Sequence, residues 1–169
     1  MNNKTLPIIN KDQLAKARED SWDFLFLFID PIHEMISSDE SGEIMNQLSS
    51  EQHTLLAFNA LYGQVTNGGF IQLIQNGYGE YIFDNPFSEH VKKWGALEIG
   101  KIVDNAKIIY DQNKVDLEKE TDLEGFSKMY EEFTEFEPLD DRFYEVMDDE
   151  LEIIRKYVED NLDRFAIVE

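Results

Sequence analysis

Cysteine is absent from this sequence of 169 residues, and its absence excludes several kinds of site. A disulfide framework, a catalytic thiolate and a cysteine-ligated zinc all need thiol groups. Long hydrophobic runs are missing too: the most apolar stretch, residues 22–29, contains Asp23 and is far shorter than the roughly 20 residues of a membrane span. Because residues 1–10 show no apolar core of a signal peptide, we expect a cytoplasmic protein that does not bind membranes.

Positive charge is scarce in the chain. There are 15 Lys and Arg residues against 36 Asp and Glu residues, which gives a formal charge of −21. The excess is uneven, since residues 111–169 hold 21 acidic and 7 basic residues. A surface this acidic repels nucleic acid and membrane headgroups. We therefore expect basic partners, either metal cations or proteins whose binding surface accepts an anion.

Patterns that would support catalysis are missing as well. The histidines, His33, His53 and His90, lack the spacing of metal ligands, and no Glu-x-x-His pair of a helical di-iron site occurs. No glycine-rich loop precedes Lys-Ser or Lys-Thr, the pattern that cradles a phosphate. Acidic pairs such as Asp148 and Asp149 lack the loop that shapes a calcium site. The sequence therefore predicts no enzyme activity, no cofactor and no bound metal.

Apolar residues recur at helical spacing in most of the chain, whereas the alternating runs typical of strands are absent. This pattern predicts an all-α fold, a single compact multi-helix domain. Residues 1–48 form its N-terminal helices, and residues 49–169 form the rest of the same domain. The N-terminal helices cover residues 11–36, with a break near Pro31, because the residue before a proline disfavours the helical region.

Capping patterns predict several later boundaries. Ser49 lies three residues before Gln52, a capping box that begins a helix. This helix ends at Asn67-Gly68-Gly69, since these residues tolerate a left-handed backbone. Gly95 and Gly100 are expected inside a later helix, where close packing would compensate for their low helix propensity. The remaining helices are predicted at residues 70–75, 88–110, 126–136 and 140–162, with a charged connector at residues 111–125.

The last predicted helix has two chemically distinct faces. Its apolar residues, from Phe143 to Phe165, form one stripe at 100° per residue. Acidic residues occupy the opposite face, and the continuous part of that face comprises Asp140, Asp141, Glu145, Asp148, Asp149 and Glu152.

Over the whole length of this face, seven acidic residues between Asp141 and Asp163 span about 33 Å and supply about one charge per 5 Å of helix, whereas one DNA strand carries about one per 3.4 Å. One such helix needs neighbouring acids or a second subunit to imitate a duplex. Arg155 and Lys156 interrupt the acidic face at its C-terminal end. A charged helix face also serves solvation alone, and this alternative stays open.

Two segments resemble the bacterial DNA-mimic-protein family. One begins at Val65-Thr66 with the sequence Asn67-Gly68-Gly69-Phe70 and continues to Gly100, and the other covers residues 139–165. The resemblance implies an all-α domain. We interpret the family motif as structural, because a helix end built from Asn and Gly places the following aromatic ring in the core. The motif residues are Asn67, Gly68, Gly69, Phe70, Gln72, Gly77 and Gly100.

The resemblance also implies a function. A family member presents carboxylates where DNA presents phosphates, and so occupies the DNA-binding surface of a transcriptional repressor or a histone-like nucleoid protein. The acidic residues from Asp140 to Glu152 named above are then the partner-binding residues of a non-enzymatic protein. A homodimer is plausible, because a second copy would raise the charge density.

The alternative is an interaction or immunity-type protein, in which acidity serves solubility. Such a protein would bind its partner through an apolar or mixed groove near Phe70, Tyr78, Tyr81 and Phe83.

Overall fold

The computed structural model describes residues 5–169, and helices form most of this part of the chain, which confirms the all-α prediction. In chain order the elements are β1 (Ile8–Ile9), α1 (Lys11–Ala17), α2 (Ser21–Ser38), α3 (Ile44–Gln47), α4 (Ser50–Gln75), α5 (Gly79–Phe83), α6 (Phe87–Lys93), α7 (Leu97–Glu118), α8 (Leu123–Glu132), α9 (Glu137–Asp160) and β2 (Ile167–Val168). Short 3-10 turns cover Thr134–Phe136 and Leu162–Arg164. The first four residues of the predicted N-terminal region lie outside the described residues.

The chain divides into two compact units. The first unit combines the chain up to Leu56 with Leu151–Glu169, and the second unit is Ala57–Glu150. The unit boundaries fall inside α4 and inside α9. The predicted organisation, with residues 1–48 and 49–169 in one domain, stays a prediction.

In the first unit, α1 and α2 are separate helices, each begun by a side-chain cap. The Asn10 carboxamide oxygen accepts a hydrogen bond from the N–H of Asp12, and the Asp20 carboxylate accepts from the N–H groups of Trp22 and Asp23. Such caps satisfy N–H groups that have no partner within the helix. The helices are therefore separated at the Asp20 cap, whereas the predicted break near Pro31 is wrong.

Pro31 lies inside α2, and burial on both sides of it explains why the helix continues. Phe28, Ile29 and Ile32 are fully buried. An internal proline costs about 3 kcal/mol, whereas complete burial of three such side chains contributes roughly 5–9 kcal/mol. Packing against the core thus outweighs the local preference of the proline.

The predicted capping box at the start of α4 is confirmed. The Ser49 hydroxyl accepts a hydrogen bond from the N–H of Gln52 at 3.1 Å, and the Gln52 side-chain oxygen accepts from the N–H of Ser49 at 3.0 Å. Gln52 is buried, and its amide nitrogen also donates to the Thr5 carbonyl at 2.7 Å. In the same unit, β1 and β2 form a short parallel pair in which Ile8 lies opposite Ile167.

In the second unit, α4 is interrupted where the sequence predicts a helix end. Gly69 has φ +71°, a value that L side chains rarely adopt, and the helix resumes from Phe70 to Gln75. Gly77 has φ +86° and closes the helix, and its N–H donates to the Ile74 carbonyl at 3.0 Å.

The predicted helix over residues 88–110 is wrong in its extent. Gly95 has φ +104° and separates α6 from α7, so it ends a helix and does not lie inside one. Ser88 does not cap α6, which starts after Pro86 without a side-chain cap. Gly100 lies inside α7, where a Cβ atom would collide with the side chain of Lys92 rather than with a neighbouring backbone.

Other boundaries also differ from the predictions. Helix α7 extends to Glu118, through half of the predicted connector, because Tyr110 and Leu117 are fully buried and hold this part of the chain in the unit. Helix α5 was not predicted. The predicted helix over residues 126–136 is observed as α8 followed by a 3-10 turn.

Candidate functional site

The part of α9 up to Glu150 lies in the second unit and carries four exposed carboxylates on consecutive turns. They belong to Asp141, Glu145, Asp148 and Asp149, and we call this set the acidic face. Within residues 5–169, Asp141, Asp148 and Asp149 form no ion pair, and the Asp148 carboxylate lies 3.4 Å from the Tyr62 hydroxyl. These three carboxylates are available to a cationic partner.

Arg142 lies beside the acidic face and reduces the charge at one of its positions. Its guanidinium contacts the Glu98 and Glu145 carboxylates, each at 2.8 Å. The two carboxylates raise the pKa of Arg142 through hydrogen bonds, and Arg142 holds the pKa of Glu98 below its usual value. Exposed pairs of this kind contribute little to stability, but Glu145 is partly neutralised before any partner arrives.

Asp140, a predicted partner-binding residue, points inward instead of lying on the acidic face. It is half-buried, and its Oδ1 accepts a hydrogen bond from the backbone N–H of Phe70 at 2.9 Å. The pKa of Asp140 is raised to about 6, because burial and the nearby charges of Asp141 and Glu137 outweigh the hydrogen bond from Phe70, which lowers the pKa. Asp140 therefore caps the helical segment that resumes at Phe70.

Glu150 makes the same kind of contact ten residues later. Its side chain is buried, and Oε2 accepts a hydrogen bond from the N–H of Ile99, in the first turn of α7, at 2.9 Å. Burial raises the pKa of Glu150, while hydrogen bonds from the backbone at Ile99 and Glu98 lower it. Helix α9 thus supplies carboxylate caps to two different helix starts, at Phe70 and at Leu97.

Two tyrosines hold the backbone of the family motif. The Tyr130 hydroxyl donates to the Gly68 carbonyl at 2.6 Å, and the Tyr144 hydroxyl donates to the Thr66 carbonyl at 2.7 Å. These carbonyls lie at the end of the first part of α4, where the helix no longer supplies donors. Tyr144 therefore links the two segments that resemble the family.

The side chains of the motif contact one another and the core. The Asn67 amide nitrogen donates to the Gln72 oxygen at 3.1 Å, and a Cβ atom on Gly69 would collide with the Asp140 carboxylate. Phe70 is fully buried, with its ring 6.1 Å from that of Phe136. These contacts agree with a structural role for the motif.

Glu152, the last predicted partner-binding residue, belongs to the first unit. Its carboxylate is exposed but accepts a hydrogen bond from the Ser21 hydroxyl. Arg155 interrupts the acidic residues of the last helix in the sequence, but its side chain packs on the core of the first unit. Its guanidinium lies 5.2 Å from the centre of the Phe24 ring and donates a hydrogen bond to the Arg18 carbonyl at 2.9 Å. Lys156 pairs with Asp160 at 2.6 Å.

More exposed acids of the second unit lie in α8, in the following 3-10 turn and at the first residue of α9. Within the described residues they form no ion pair, and they are not among the predicted partner-binding residues, although their proximity to the acidic face is visible in the sequence. They are Glu131, Glu132, Glu135 and Glu137. The second unit as a whole holds 21 acidic and 8 basic residues, a net charge of −13.

Two of the four aromatic residues proposed for an apolar groove are inaccessible to a partner. Phe70 and Phe83 are buried, and their rings pack 6.2 Å apart. The Phe83 ring lies 4.8 Å from that of the fully buried Tyr110. Burial raises the pKa of the half-buried Tyr81 to about 12. This cluster is part of the core of the second unit.

The part of the chain that the structure describes, residues 5–169, contains no group of three or more His, Asp or Glu side chains arranged to hold a metal ion. None of its helices combines the length and the apolar character that crossing a membrane requires.

Comparison with known proteins identifies the family. The model of the DMP19-like protein family matches residues 46–161, which include all of α4, α7 and α9. The DNA mimic protein DMP19 of Neisseria meningitidis serogroup B is 37% identical over 135 residues, which cover 79% of this chain and 80% of that protein. The chain therefore belongs to the DMP19-like protein family.

Proposed function

We propose that this chain is a non-enzymatic DNA mimic, which binds the DNA-binding surface of a bacterial protein through the acidic face of α9. The observation that carries the proposal is the row of four exposed carboxylates on a helix of a DMP19-like protein, three of which form no ion pair within the described residues. The relative from Neisseria meningitidis is named as a DNA mimic.

The spacing of the acidic face supports this proposal. Asp141 and Asp149 are eight residues apart, which is about 12 Å along a helix. Four carboxylates over that length give about one charge per 4 Å, close to the one per 3.4 Å along a single DNA strand. The acidic face thus approaches the charge density of one strand over a short distance, although Arg142 reduces it at Glu145.

The partner should be a basic protein, either a transcriptional repressor or a histone-like nucleoid protein. Lys and Arg side chains that bind phosphates would pair with the carboxylates in the same way, so the mimic and DNA would compete for one surface. Mechanistically, binding requires no bond to form or break and no cofactor. A bacterial DNA-binding partner would require the protein to act in the cytoplasm.

A homodimer is part of this proposal. Leu97 and Ile108 expose 53% and 57% of their surface, and both lie on one side of α7, because eleven residues correspond to about three helical turns. A second copy that covers these residues would double the number of acidic faces. Sedimentation analysis should then show a dimer that Ile108→Glu converts to a monomer, and a monomeric wild-type protein would contradict this part of the proposal.

Capture of the partner by charge-neutralised variants tests the mimicry. In one variant Asp141, Asp148 and Asp149 are replaced by Asn. The control variant replaces Glu34, Glu40 and Glu43 of the first unit by Gln, because these acids are also exposed and form no ion pair in the described residues. Both variants lose three negative charges. Each tagged protein is used to capture basic proteins from a lysate of the source cell, in the presence and absence of duplex DNA.

We expect the captured DNA-binding protein to be released by DNA and by rising salt, since salt screens exposed charges. If each lost pair contributes about 0.2–1 kcal/mol, the acidic-face variant binds the purified partner roughly 3- to 150-fold more weakly. The control variant keeps wild-type affinity. Equal weakening by both variants would mean that only net charge matters, and unchanged binding by the acidic-face variant would refute the proposed site.

A further inference from the structure

The first unit contains a groove of about 620 Å³ lined by β1, α1 and α2, which we call the β1 groove. Its apolar lining includes Ile8, Ala17, Phe26, Leu27 and Pro31. Ile8 exposes 68% of its surface and Phe26 exposes 38%, both unusual for large apolar side chains. The β1 groove therefore offers apolar surface on which another molecule can bury its own apolar groups.

Acidic residues predominate among the charged groups that line the β1 groove. Glu19, Asp23 and Asp30 are exposed, and none of them forms an ion pair with a residue of the described chain. The basic lining residue is Lys16. The groove thus combines an apolar surface with a net negative charge, which complements a ligand that is both apolar and basic.

The edge of β1 supplies a third feature. The Pro7 and Ile9 carbonyls accept hydrogen bonds from the N–H groups of Ile167 and Glu169 in the parallel pair with β2, at 2.8 and 3.0 Å. In such a pair the backbone groups of the intervening residue lie on the opposite edge of the strand. The N–H and C=O of Ile8 therefore lie on the edge away from β2, and no other residue within 5–169 bonds to them.

We propose that the β1 groove binds an extended, basic segment of a partner protein, in which apolar residues alternate with Lys or Arg. The segment would pair with the outer edge of β1 at Ile8, as peptides do when they add a strand to an exposed edge. Alternate apolar side chains pack on Phe26 and Pro31, and the basic residues contact Glu19, Asp23 and Asp30. This site uses a different unit from the acidic face, so either site can exist without the other.

A synthetic peptide provides the test. The probe is a blocked heptapeptide that alternates Val and Lys, and the control peptide alternates Val and Glu. Binding to the full chain is followed by amide chemical shifts in NMR spectra at 0.15 M salt, where contacts between exposed charges are screened beyond about 8 Å. We expect the Val-Lys peptide to bind and to shift the amide signals of Ile8 and Phe26.

Two substitutions locate the binding site. Ile8→Lys places a positive charge in the groove, and Leu123→Lys is the matched control, because Leu123 is 85% exposed and lies in the second unit. We expect Ile8→Lys to weaken binding of the Val-Lys peptide about tenfold and Leu123→Lys to change it by less than about twofold. An unchanged far-ultraviolet circular dichroism spectrum verifies that each variant is folded.

The role of charge is tested separately by replacing Glu19 with Gln and Asp30 with Asn. We expect these replacements to weaken binding of the Val-Lys peptide. The variant with Asn at positions 141, 148 and 149 should bind the peptide as wild type does.

Each of three results would overturn the proposal. They are equal binding of the Val-Glu peptide, peptide-induced shifts confined to α9, and a change of oligomeric state in Ile8→Lys, which would mean that a second copy occupies the β1 groove.

Discussion

The side chain of Asp140 provides the most direct test of how the second unit is held together. Its carboxylate accepts a hydrogen bond from the N–H of Phe70, where α4 resumes after Gly69. Alanine at position 140 would leave this N–H without its partner. Asparagine would keep an acceptor oxygen in the same place and would remove the half-buried charge.

The expected magnitude follows from the loss of one helix cap. Replacing a capping Asp, Asn, Ser or Thr by Ala costs about 0.5–2 kcal/mol, and leaving a buried donor without a partner costs about 1–3 kcal/mol. We therefore expect Asp140→Ala to lower the free energy of unfolding by about 1–2 kcal/mol. For a protein of this size the melting temperature falls by about 2–4 °C for each kcal/mol, which predicts a loss of roughly 2–8 °C.

Urea denaturation followed by circular dichroism measures this change at pH 7. Asp140→Asn serves as the control, and we expect it to retain more of the wild-type stability than Asp140→Ala. Because Asp140 faces the protein interior, Asp140→Asn should also capture the partner as well as wild type does. The capping role is refuted if Ala and Asn are equally tolerated. If Asn abolishes partner capture without loss of stability, Asp140 binds the partner directly.

Three other predictions concern pH, the second cap and the family motif. Because the pKa of Asp140 is raised to about 6 in the folded protein, the folded state binds a proton more tightly than the unfolded state. Wild type should therefore gain stability relative to Asp140→Asn as the pH falls from 7 to 4. Urea titrations at these pH values that show no gain would contradict this expectation. Glu150→Ala should destabilise the protein by about 1–3 kcal/mol, because the buried N–H of Ile99 loses its acceptor, whereas Glu150→Gln should cost less; equal losses in thermal unfolding would refute the cap. Gly69→Ala should destabilise the protein by about 1–3 kcal/mol or more, because residue 69 has a positive φ and a Cβ atom there would collide with Asp140. Gly63 lies on an open face of α4, so Gly63→Ala should stabilise the protein by up to about 1 kcal/mol. The order of the two melting temperatures checks both expectations.

Local signals in the sequence were sufficient for some boundaries. The capping box of Ser49 and Gln52 involves residues three positions apart, so the chain itself contains all the atoms that form it. The helix interruption at Gly69 likewise follows from a backbone conformation that glycine adopts easily. Pro31 shows the limit of such reasoning, because the preference of one residue was outweighed by the burial of its neighbours.

At the candidate site, helical periodicity was enough to predict which carboxylates face solvent, whereas packing between distant segments sets which groups each carboxylate contacts. Helical periodicity placed Asp141, Glu145, Asp148 and Asp149 away from the apolar stripe, and all four are exposed. The same periodicity could not show that Asp140 reaches the N–H of Phe70, 70 residues away along the chain. A carboxylate inside one helix caps another helix only where packing brings the start of that helix beside it, and such packing joins segments that are distant along the chain.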